Sequence, residues 1–283
     1  VWAYTKAKHQ AGNRLLALWR EARVYRALRH RRFDLVIHAT PAAHARTGRL
    51  ARWFRAPWRV GVCAGTEPCD FNLPTAENAL PTGHHVEKVH ALLAPLGIDS
   101  PAGGLTLVPR TADRPAGLDA ALAAVPERRP VGLHISVRNR RDAWTLESFE
   151  ALARALYAEG CQPVLFWSPG AADDRRHPGD DEAATELVQR LGACIVKAPT
   201  ASLAEIAAGL AAMDLVVCAV GGTSHIAAGV GTATVALFGT TDPVTWGPWG
   251  VPARNLVGAD GRAASIPVGD VHAACRELLD AVP

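Results

Sequence analysis

One stretch of the sequence decides the fold, and it reads LVVCAVGGTSHIAAGVGTATVALF over residues 215–238. Two apolar runs, residues 215–218 and 234–238, have the length and composition of buried strands, and residues 224–230 between them favour a helix. A strand, a helix and a second strand in succession form a right-handed crossover between parallel strands. The stretch therefore predicts a parallel sheet covered by helices.

The same alternation extends to both sides of this stretch and predicts a Rossmann-like α/β domain over residues 116–283. We expect further strands at residues 131–135, 163–167 and 194–196, and further helices at residues 145–159, 181–191, 202–213 and 268–282.

A second, Rossmann-like domain is predicted over residues 1–115, since 283 residues leave room for two domains. We expect its helices at residues 12–31, 44–54 and 85–96 and its strands at residues 34–39 and 59–63. Pro and Gly are dense over residues 100–130, which is typical of a connection between domains.

The composition, 49% hydrophobic and 20% charged, is that of a folded protein. No apolar run has the length of a membrane span, and nothing near Val1 resembles a signal peptide, so a cytoplasmic protein is expected. The six cysteines are scattered, so we expect them to be reduced. No Cys or His cluster has metal-ligand spacing, and we expect neither a metal nor a cofactor.

The charge is unevenly distributed along the chain. Residues 1–60 hold 14 Lys and Arg against two acidic residues, a net charge of +12, whereas residues 61–283 hold 16 against 25, a net charge of −9. A basic amino-terminal part suits an anionic partner such as a phosphorylated lipid. The alternative is the solvated face of a helix over residues 12–31. A nucleic-acid partner is not expected, because no recognition module is present.

The loop after residue 218 has the residues of an anion site. Gly222 allows a backbone to approach a ligand closely, and Thr223 and Ser224 stand at the start of the expected helix. Backbone N–H groups, the helix dipole and two hydroxyls can bind a phosphate there. A plain glycine turn with a Ser or Thr cap is the alternative interpretation. His225 fits a capping or phosphate contact better than a general base.

The loop after the next strand supplies Gly239, Thr240 and Thr241. Because the carboxyl ends of parallel strands meet at one edge of a sheet, we expect the two loops to be neighbours and to form a diphosphate cradle. Ser136 and Lys197 also follow expected strands. If the diphosphate belongs to a nucleotide, we expect these two residues to contact it as well.

These two loops resemble glycosyltransferase family 9, the lipopolysaccharide heptosyltransferases. That family has an Asp-Thr/Ser-Gly-x-x-His-x-Ala-Ala segment, a strand, and then Phe/Tyr-Gly-Pro/x-Thr-x-Pro. The matching residues are Gly222, His225, Ala227, Ala228, Phe238, Gly239, Thr241 and Pro243. Weaker likeness, as in residues 32–38, 56–61, 85–97 and 144–153, covers nearly the whole chain.

The resemblance implies two facing Rossmann-like domains of the GT-B type, with the donor bound in the carboxyl-terminal domain and the acceptor against the amino-terminal one. It implies an inverting glycosyltransferase that moves a heptose-like sugar from a nucleotide diphosphate to a lipopolysaccharide core or related anionic glycolipid. Such an enzyme works in the cytoplasm, with peripheral contact at the inner face of the inner membrane.

The sequence departs from the family at two positions. An acidic residue of the family aligns with Val220, and a lysine aligns with Asp142. Arg138, Arg140 and Arg141 stand near the second position, and we expect them to supply the charge that binds phosphate, although exposed loop arginines are the alternative.

The family's proposed catalytic carboxylate lies in a Gly-Asp loop that would precede Val1, so we expect the first domain to be incomplete and leave the catalytic residue unassigned. Two further functions stay open: a non-catalytic nucleotide-sugar binder, and a nucleotide-sugar epimerase of the same architecture. An epimerase would require acid and base carboxylates, and the sequence offers no clear pair.

Overall fold

The chain forms two compact units, Val1–Ala102 and Gly103–Pro283. The computed structural model describes residues 14–65, 69–139, 142–174 and 178–281. The division falls before the boundary expected between residues 115 and 116, because the intervening residues pack on the second unit. The backbone N–H of Leu107 donates to the carbonyl of Gly229 at 2.6 Å, and the Trp249 indole N–H donates to the carbonyl of Gly103 at 2.9 Å.

The first unit contains a parallel sheet with strand order β1-β2-β3. Its elements are α1 (Arg14–His30), β1 (Leu35–Ile37), α2 (Ala45–Trp53), β2 (Trp58–Cys63), β3 (Leu73–Ala76) and α3 (His85–His90). A 3-10 turn, Ala91–Leu96, continues α3 and ends at Gly97, whose φ of 76° suits glycine. Val60, Val62 and Leu92 form the core. Strand β3 was not predicted, because its residues lie in a stretch of sequence that resembles a loop.

A disulfide in the first unit corrects one expectation. Cys63 ends β2 and is bonded to Cys69, with 5.9 Å between the two Cα atoms, so the prediction of six reduced cysteines is wrong for this pair. Their spacing matches no motif, and only the fold brings them together. Cys161, Cys194, Cys218 and Cys275 are free thiols, and burial raises the pKa of Cys218 and of Cys275 to about 12.

The second unit contains a parallel sheet with strand order β6-β5-β4-β7-β8-β9. Its strands are β4 (Arg129–His134), β5 (Cys161–Trp167), β6 (Val196–Pro199), β7 (Leu215–Ala219), β8 (Ala233–Phe238) and β9 (Ala253–Val257). Its helices are α4 (Leu118–Ala123), α5 (Leu146–Ala158), α6 (Asp181–Leu191), α7 (Leu203–Leu210), α8 (Gly222–Gly229), α9 (Pro243–Trp246) and α10 (Val268–Ala281).

Both faces of the larger sheet are buried. On one face Leu133, Leu165 and Leu237 pack with apolar residues of α5 and α10. On the other face Val164 and Phe166 pack with apolar residues of α7 and α8. Parallel sheets are covered on both faces in this way, which is why their strands are continuous apolar runs. The expected α/β class with Rossmann-like units is confirmed.

None of the described helices is both long enough and apolar enough to cross a bilayer.

Candidate functional site

The order of strands in the second unit places a crevice between β4 and β7. From β4 the chain adds β5 and β6 on one side, and it then returns to add β7, β8 and β9 on the other side. The loops after β4 and β7 therefore diverge to opposite faces of the sheet. In open α/β sheets, ligands bind outside the carboxyl ends of the strands at this switch point.

The amino terminus of α8 lies at this crevice. Its N-cap residue, Gly221, has φ 156° and ψ −159°, a combination that only glycine adopts without strain. A Cβ added to the next residue, Gly222, would meet nothing within 4 Å, so open space adjoins this end of the helix. The first N–H groups of a helix lack intrahelical acceptors and carry the positive end of its dipole. This end can bind an anion.

Ser224 caps the helix rather than facing the crevice. Its hydroxyl donates to the carbonyl of Gly221 at 2.8 Å and accepts from the Gly221 N–H at 3.3 Å, and the side chain is fully buried. The alternative capping interpretation therefore describes Ser224, whereas the neighbouring Thr223 and His225 remain half-exposed.

His134 is a site residue that the sequence analysis missed. It ends β4 and is 6% exposed, and the Thr223 hydroxyl lies 3.4 Å from its Nε2 and 3.5 Å from its Nδ1. Burial lowers the pKa of His134 to about 4, so the ring is neutral at pH 7. Its position directly before the loop that contains Ser136 was the available signal in the sequence.

The loops after β7 and β8 start side by side, as expected. The Val220 N–H donates to the carbonyl of Leu237 at 2.9 Å, which continues the pairing of the two strands. Beyond it, Gly239 is buried, Thr241 is half-buried and Thr240 is exposed. Thr240 and Thr241 are thus the members of this loop whose hydroxyls have access to a ligand.

Asp142 joins the loop after β4 to the loop after β8. Its carboxylate accepts from the Gly239 N–H at 2.9 Å and from the Asn139 side-chain amide at 2.7 Å, and Asp142 is 3% exposed. The Gly239 N–H is therefore already bonded within the protein. Asp142 is a structural link between the loops and not a phosphate contact.

The other candidates of the β4 loop differ in their surroundings. The Ser136 hydroxyl accepts from the Ser168 N–H at 2.8 Å and so ties this loop to the one after β5. Arg138 is exposed at the same edge of the sheet. Arg140 and Arg141 lie outside the described residues.

Lys197 does not follow its strand, which corrects another expectation. A 3-10 turn, Gly192–Cys194, occupies the start of the predicted strand, and Lys197 instead lies inside β6, paired in register with Leu165 of β5. Its side chain is exposed on the edge strand of the sheet. The structure therefore does not bring it to the carboxyl-end loops with the other candidates.

A surface cavity adjoins the loop after β8. It measures about 450 Å³ and is lined by Thr240, Asp260, Gly261 and Arg262. The last three residues follow β9, a strand that the sequence analysis did not predict, and for this reason Arg262 was missed. Its guanidinium adds an exposed cation to the same edge of the sheet.

Two carboxylates near these loops are occupied by backbone donors. The Asp142 carboxylate accepts from the Gly239 N–H. The Asp242 carboxylate caps α9 by accepting from the N–H groups of Val244 and Thr245, both at 3.1 Å. Among the described residues, no group of three or more His, Cys, Asp or Glu side chains is placed to hold a metal ion.

The site combines the amino terminus of α8 at the switch point with threonine hydroxyls and two exposed arginines, Arg138 and Arg262, in loops along the carboxyl edge of the sheet. These groups stabilise negative charge without contributing a nucleophile. The class that they define is a Rossmann-like protein whose second unit can bind a phosphorylated ligand such as a nucleotide.

Comparison with known proteins gives the family. The model of glycosyltransferase family 9 (heptosyltransferase) matches residues 21–269. The chain therefore belongs to glycosyltransferase family 9, and it is a glycosyltransferase by class. None of the curated protein sequences matches it significantly.

Solved structures show the same fold. A family 9 glycosyl transferase from Veillonella parvula has a TM-score of 0.75 at 21% identity, over 96% of this chain and 81% of that one. E. coli heptosyltransferase WaaC with ADP has a TM-score of 0.71 at 18% identity, over 93% of this chain and 78% of that one. E. coli ADP-heptose lipopolysaccharide heptosyltransferase II has a TM-score of 0.67 at 19% identity, over 93% of this chain and 82% of that one.

Proposed function

We propose that this glycosyltransferase moves a heptose-like sugar from a nucleotide diphosphate to a lipopolysaccharide core or related anionic glycolipid. The observation that carries the proposal is the exposed amino terminus of α8 at the switch point, with Thr223 beside it. Negative charge that develops on a leaving diphosphate is stabilised by such donors. Nucleotides named with related structures, ADP and an ADP-heptose analogue, support a donor of this kind.

In the proposed inverting transfer, an acceptor hydroxyl forms a bond to the anomeric carbon while the bond to the diphosphate oxygen breaks. The nucleoside diphosphate leaves with the electron pair, and a general base takes the hydroxyl proton. Asp142 and Asp242 are both bonded to backbone N–H groups, so we assign the base to neither. The proposal requires no metal or cofactor, and EDTA should leave donor binding and turnover unchanged.

Net positive charge in residues 1–60 supports an anionic acceptor, and we propose that the reaction takes place at the cytoplasmic face of the inner membrane. The test is to incubate the full chain with ADP-heptose or a UDP-sugar and a truncated lipid acceptor. We expect calorimetric donor binding and a product one sugar heavier by mass spectrometry. Neither binding nor product with any donor would refute the proposal.

A non-catalytic nucleotide-sugar binder is the second candidate. It is favoured by Asp142, because this residue stands where the family has a lysine and bonds to Gly239 instead of presenting a cation. Donor binding without product, measured with the same donors and acceptors, would select this alternative.

A further inference from the structure

Trp246 is the exposed indole beside the candidate donor site. It ends α9, a few residues after Thr240 and Thr241, and is 38% exposed. Two other tryptophans of the second unit are less exposed, since Trp144 is 6% exposed and Trp249 is half-buried. Trp246 therefore presents more of its indole to solvent, at the edge of the candidate site.

The turn that carries Trp246 is held in one conformation. The Trp246 N–H donates to the backbone carbonyl of Asp242 at 3.1 Å, and the carboxylate of the same aspartate caps α9. After the indole, a Cβ at Gly247 would lie 2.6 Å from the Asn255 side-chain nitrogen and 2.8 Å from the carbonyl of Pro243. The chain is packed too closely there to shift easily, so the backbone that carries the indole is fixed before a ligand binds.

The indole lies next to the anion-binding end of α8. Its ring centroid is 6.2 Å from that of His225, and the two planes are inclined by 57°. His225 is in the first turn of α8, beside Thr223. A diphosphate bound at this helix end would therefore have Trp246 on its β8 side, and β5 and its loop on the opposite side.

These positions separate the two ends of a nucleotide sugar. If the nucleoside extends over β4 and β5, where Ser136 and Ser168 join their loops, the sugar is directed toward β8 and Trp246. The face of an indole is apolar and electron-rich, and it favours contact with the C–H face of a pyranose ring. Binding sites for small molecules commonly combine such an aromatic surface with a few polar groups, here His225 and Thr241.

We propose that Trp246 is the surface on which the sugar ring of the donor stacks, and that it gives the site its preference for a nucleotide sugar over the bare nucleoside diphosphate. This inference rests on the proposed function and adds a residue that distinguishes a nucleotide sugar from the bare nucleotide. A sugar of the acceptor could also stack on this indole. The experiment therefore distinguishes weaker binding of the donor from a raised KM for the acceptor.

The experiment measures binding of ADP and ADP-heptose, and of UDP and UDP-glucose, to the full chain and to Trp246→Ala and Trp246→Phe. For the nucleotide sugar that the wild type binds, we expect Trp246→Ala to lower affinity roughly 3- to 10-fold. Affinity for the matching nucleoside diphosphate should not change. Trp246→Phe, which keeps an aromatic face, should retain most of the affinity. The matched control is Trp58→Ala, an indole 54% exposed on β2 of the first unit, and it should bind both ligands normally.

A second measurement guards against misfolding of the alanine variant. The change in tryptophan fluorescence caused by the nucleotide sugar, beyond that caused by the diphosphate, should disappear in Trp246→Phe. The inference is overturned if Trp246→Ala weakens the sugar and its diphosphate equally or leaves both unchanged. It is also overturned if the variant only raises the KM for the acceptor. Failure of the wild type to bind any nucleotide or nucleotide sugar would instead refute the proposed function.

Discussion

Asp142 links two loops of the second unit through a carboxylate that water barely reaches. Its two hydrogen bonds, from the Gly239 N–H and the Asn139 amide, fix the start of the loop that leads to Thr240. A buried donor that loses its acceptor costs more free energy than a typical hydrogen bond contributes. The position therefore influences the site through the backbone of Gly239.

Replacing Asp142 should destabilise the second unit. Asp142→Ala leaves the Gly239 N–H without an acceptor and should lower the free energy of unfolding by about 1 to 3 kcal/mol. Asp142→Asn keeps one oxygen that can accept from the Gly239 N–H, so its free energy of unfolding should fall by less. Asp142→Lys, which introduces the family's residue, should be less stable than the wild type, because a buried ammonium cannot accept from Gly239. Urea denaturation measures all three. A lysine variant as stable as the wild type with tighter donor binding would show that position 142 is a phosphate contact.

His134 should make stability depend on pH. Burial lowers its pKa to about 4 from 6.5, so the unfolded chain takes up a proton near pH 6.5 while the folded chain remains neutral there. The contribution of neutral His134 to the free energy of unfolding is therefore fully present above pH 6.5 and is lost as the pH falls toward 4. The total loss of stability is about 3 kcal/mol. Urea denaturation between pH 7.5 and 4.5 should show a steeper loss for the wild type than for His134→Gln. Parallel profiles would mean that this histidine is not buried as described.

Single residues of the site were only partly predictable from the sequence. Thr223 and Thr240 were expected near a ligand because they follow strands, and the structure places both at the carboxyl edge of the sheet. Whether a hydroxyl faces the ligand or the backbone depends on the conformation of the turn, so Ser224 was assigned to the ligand although it caps α8. His134 was missed because the pattern of a buried strand does not distinguish a buried histidine from an apolar neighbour.

At the scale of elements, the amino terminus of α8 depends on two adjacent glycines with different roles. Gly221 has a conformation restricted to glycine, whereas Gly222 is the first residue of the helix and has open space beside its Cα. One glycine is needed by the turn, and the other leaves room for a ligand.

The two glycines should respond differently to alanine. Gly221→Ala should lower the free energy of unfolding by about 1 to 3 kcal/mol through backbone strain. Gly222→Ala should keep or slightly increase stability, since alanine favours helices, but it should weaken donor binding because its methyl group occupies the proposed phosphate position. Thermal unfolding and calorimetry with the donor measure the two effects. Unchanged donor affinity in Gly222→Ala would place the phosphate elsewhere.

Elements were predictable where the apolar period is strong and long. The buried strands β4, β5, β7 and β8 and the helices α5 and α6 were expected within a few residues, because burial on both faces of the sheet requires nearly continuous apolar runs. The edge strand β9 has no buried residue and no regular alternation of burial, and α9 has only four residues. Neither has a pattern that separates it from a loop, so the cavity beside Arg262 and the surroundings of Trp246 required the structure.

At the scale of the whole molecule, the uneven charge is the property most relevant to an anionic acceptor. Residues 1–60 carry a net charge of +12 and the remainder −9. On α1, Arg20, Arg23 and Arg26 are exposed, and Arg23 lies 4.7 Å from the ring of Trp19, which is 55% exposed. A basic surface with an exposed indole favours the interface of a membrane that contains anionic lipid.

The full chain should therefore sediment with vesicles that contain anionic phospholipid and not with purely zwitterionic vesicles. Raising the salt concentration from 0.05 to about 0.5 M should release it, because screening weakens attraction between exposed charges. Reversing Arg20, Arg23 and Arg26 to Glu should reduce the bound fraction several-fold, since each basic residue near such a surface contributes about 1 kcal/mol. A control variant with the same net charge carries Glu in place of three arginines of the second unit, Arg110, Arg254 and Arg276. It should bind anionic vesicles nearly as well as the wild type. Equal losses in the two variants would show that net charge and not the α1 surface governs the attraction, and the proposed membrane contact would then lose its support from this helix.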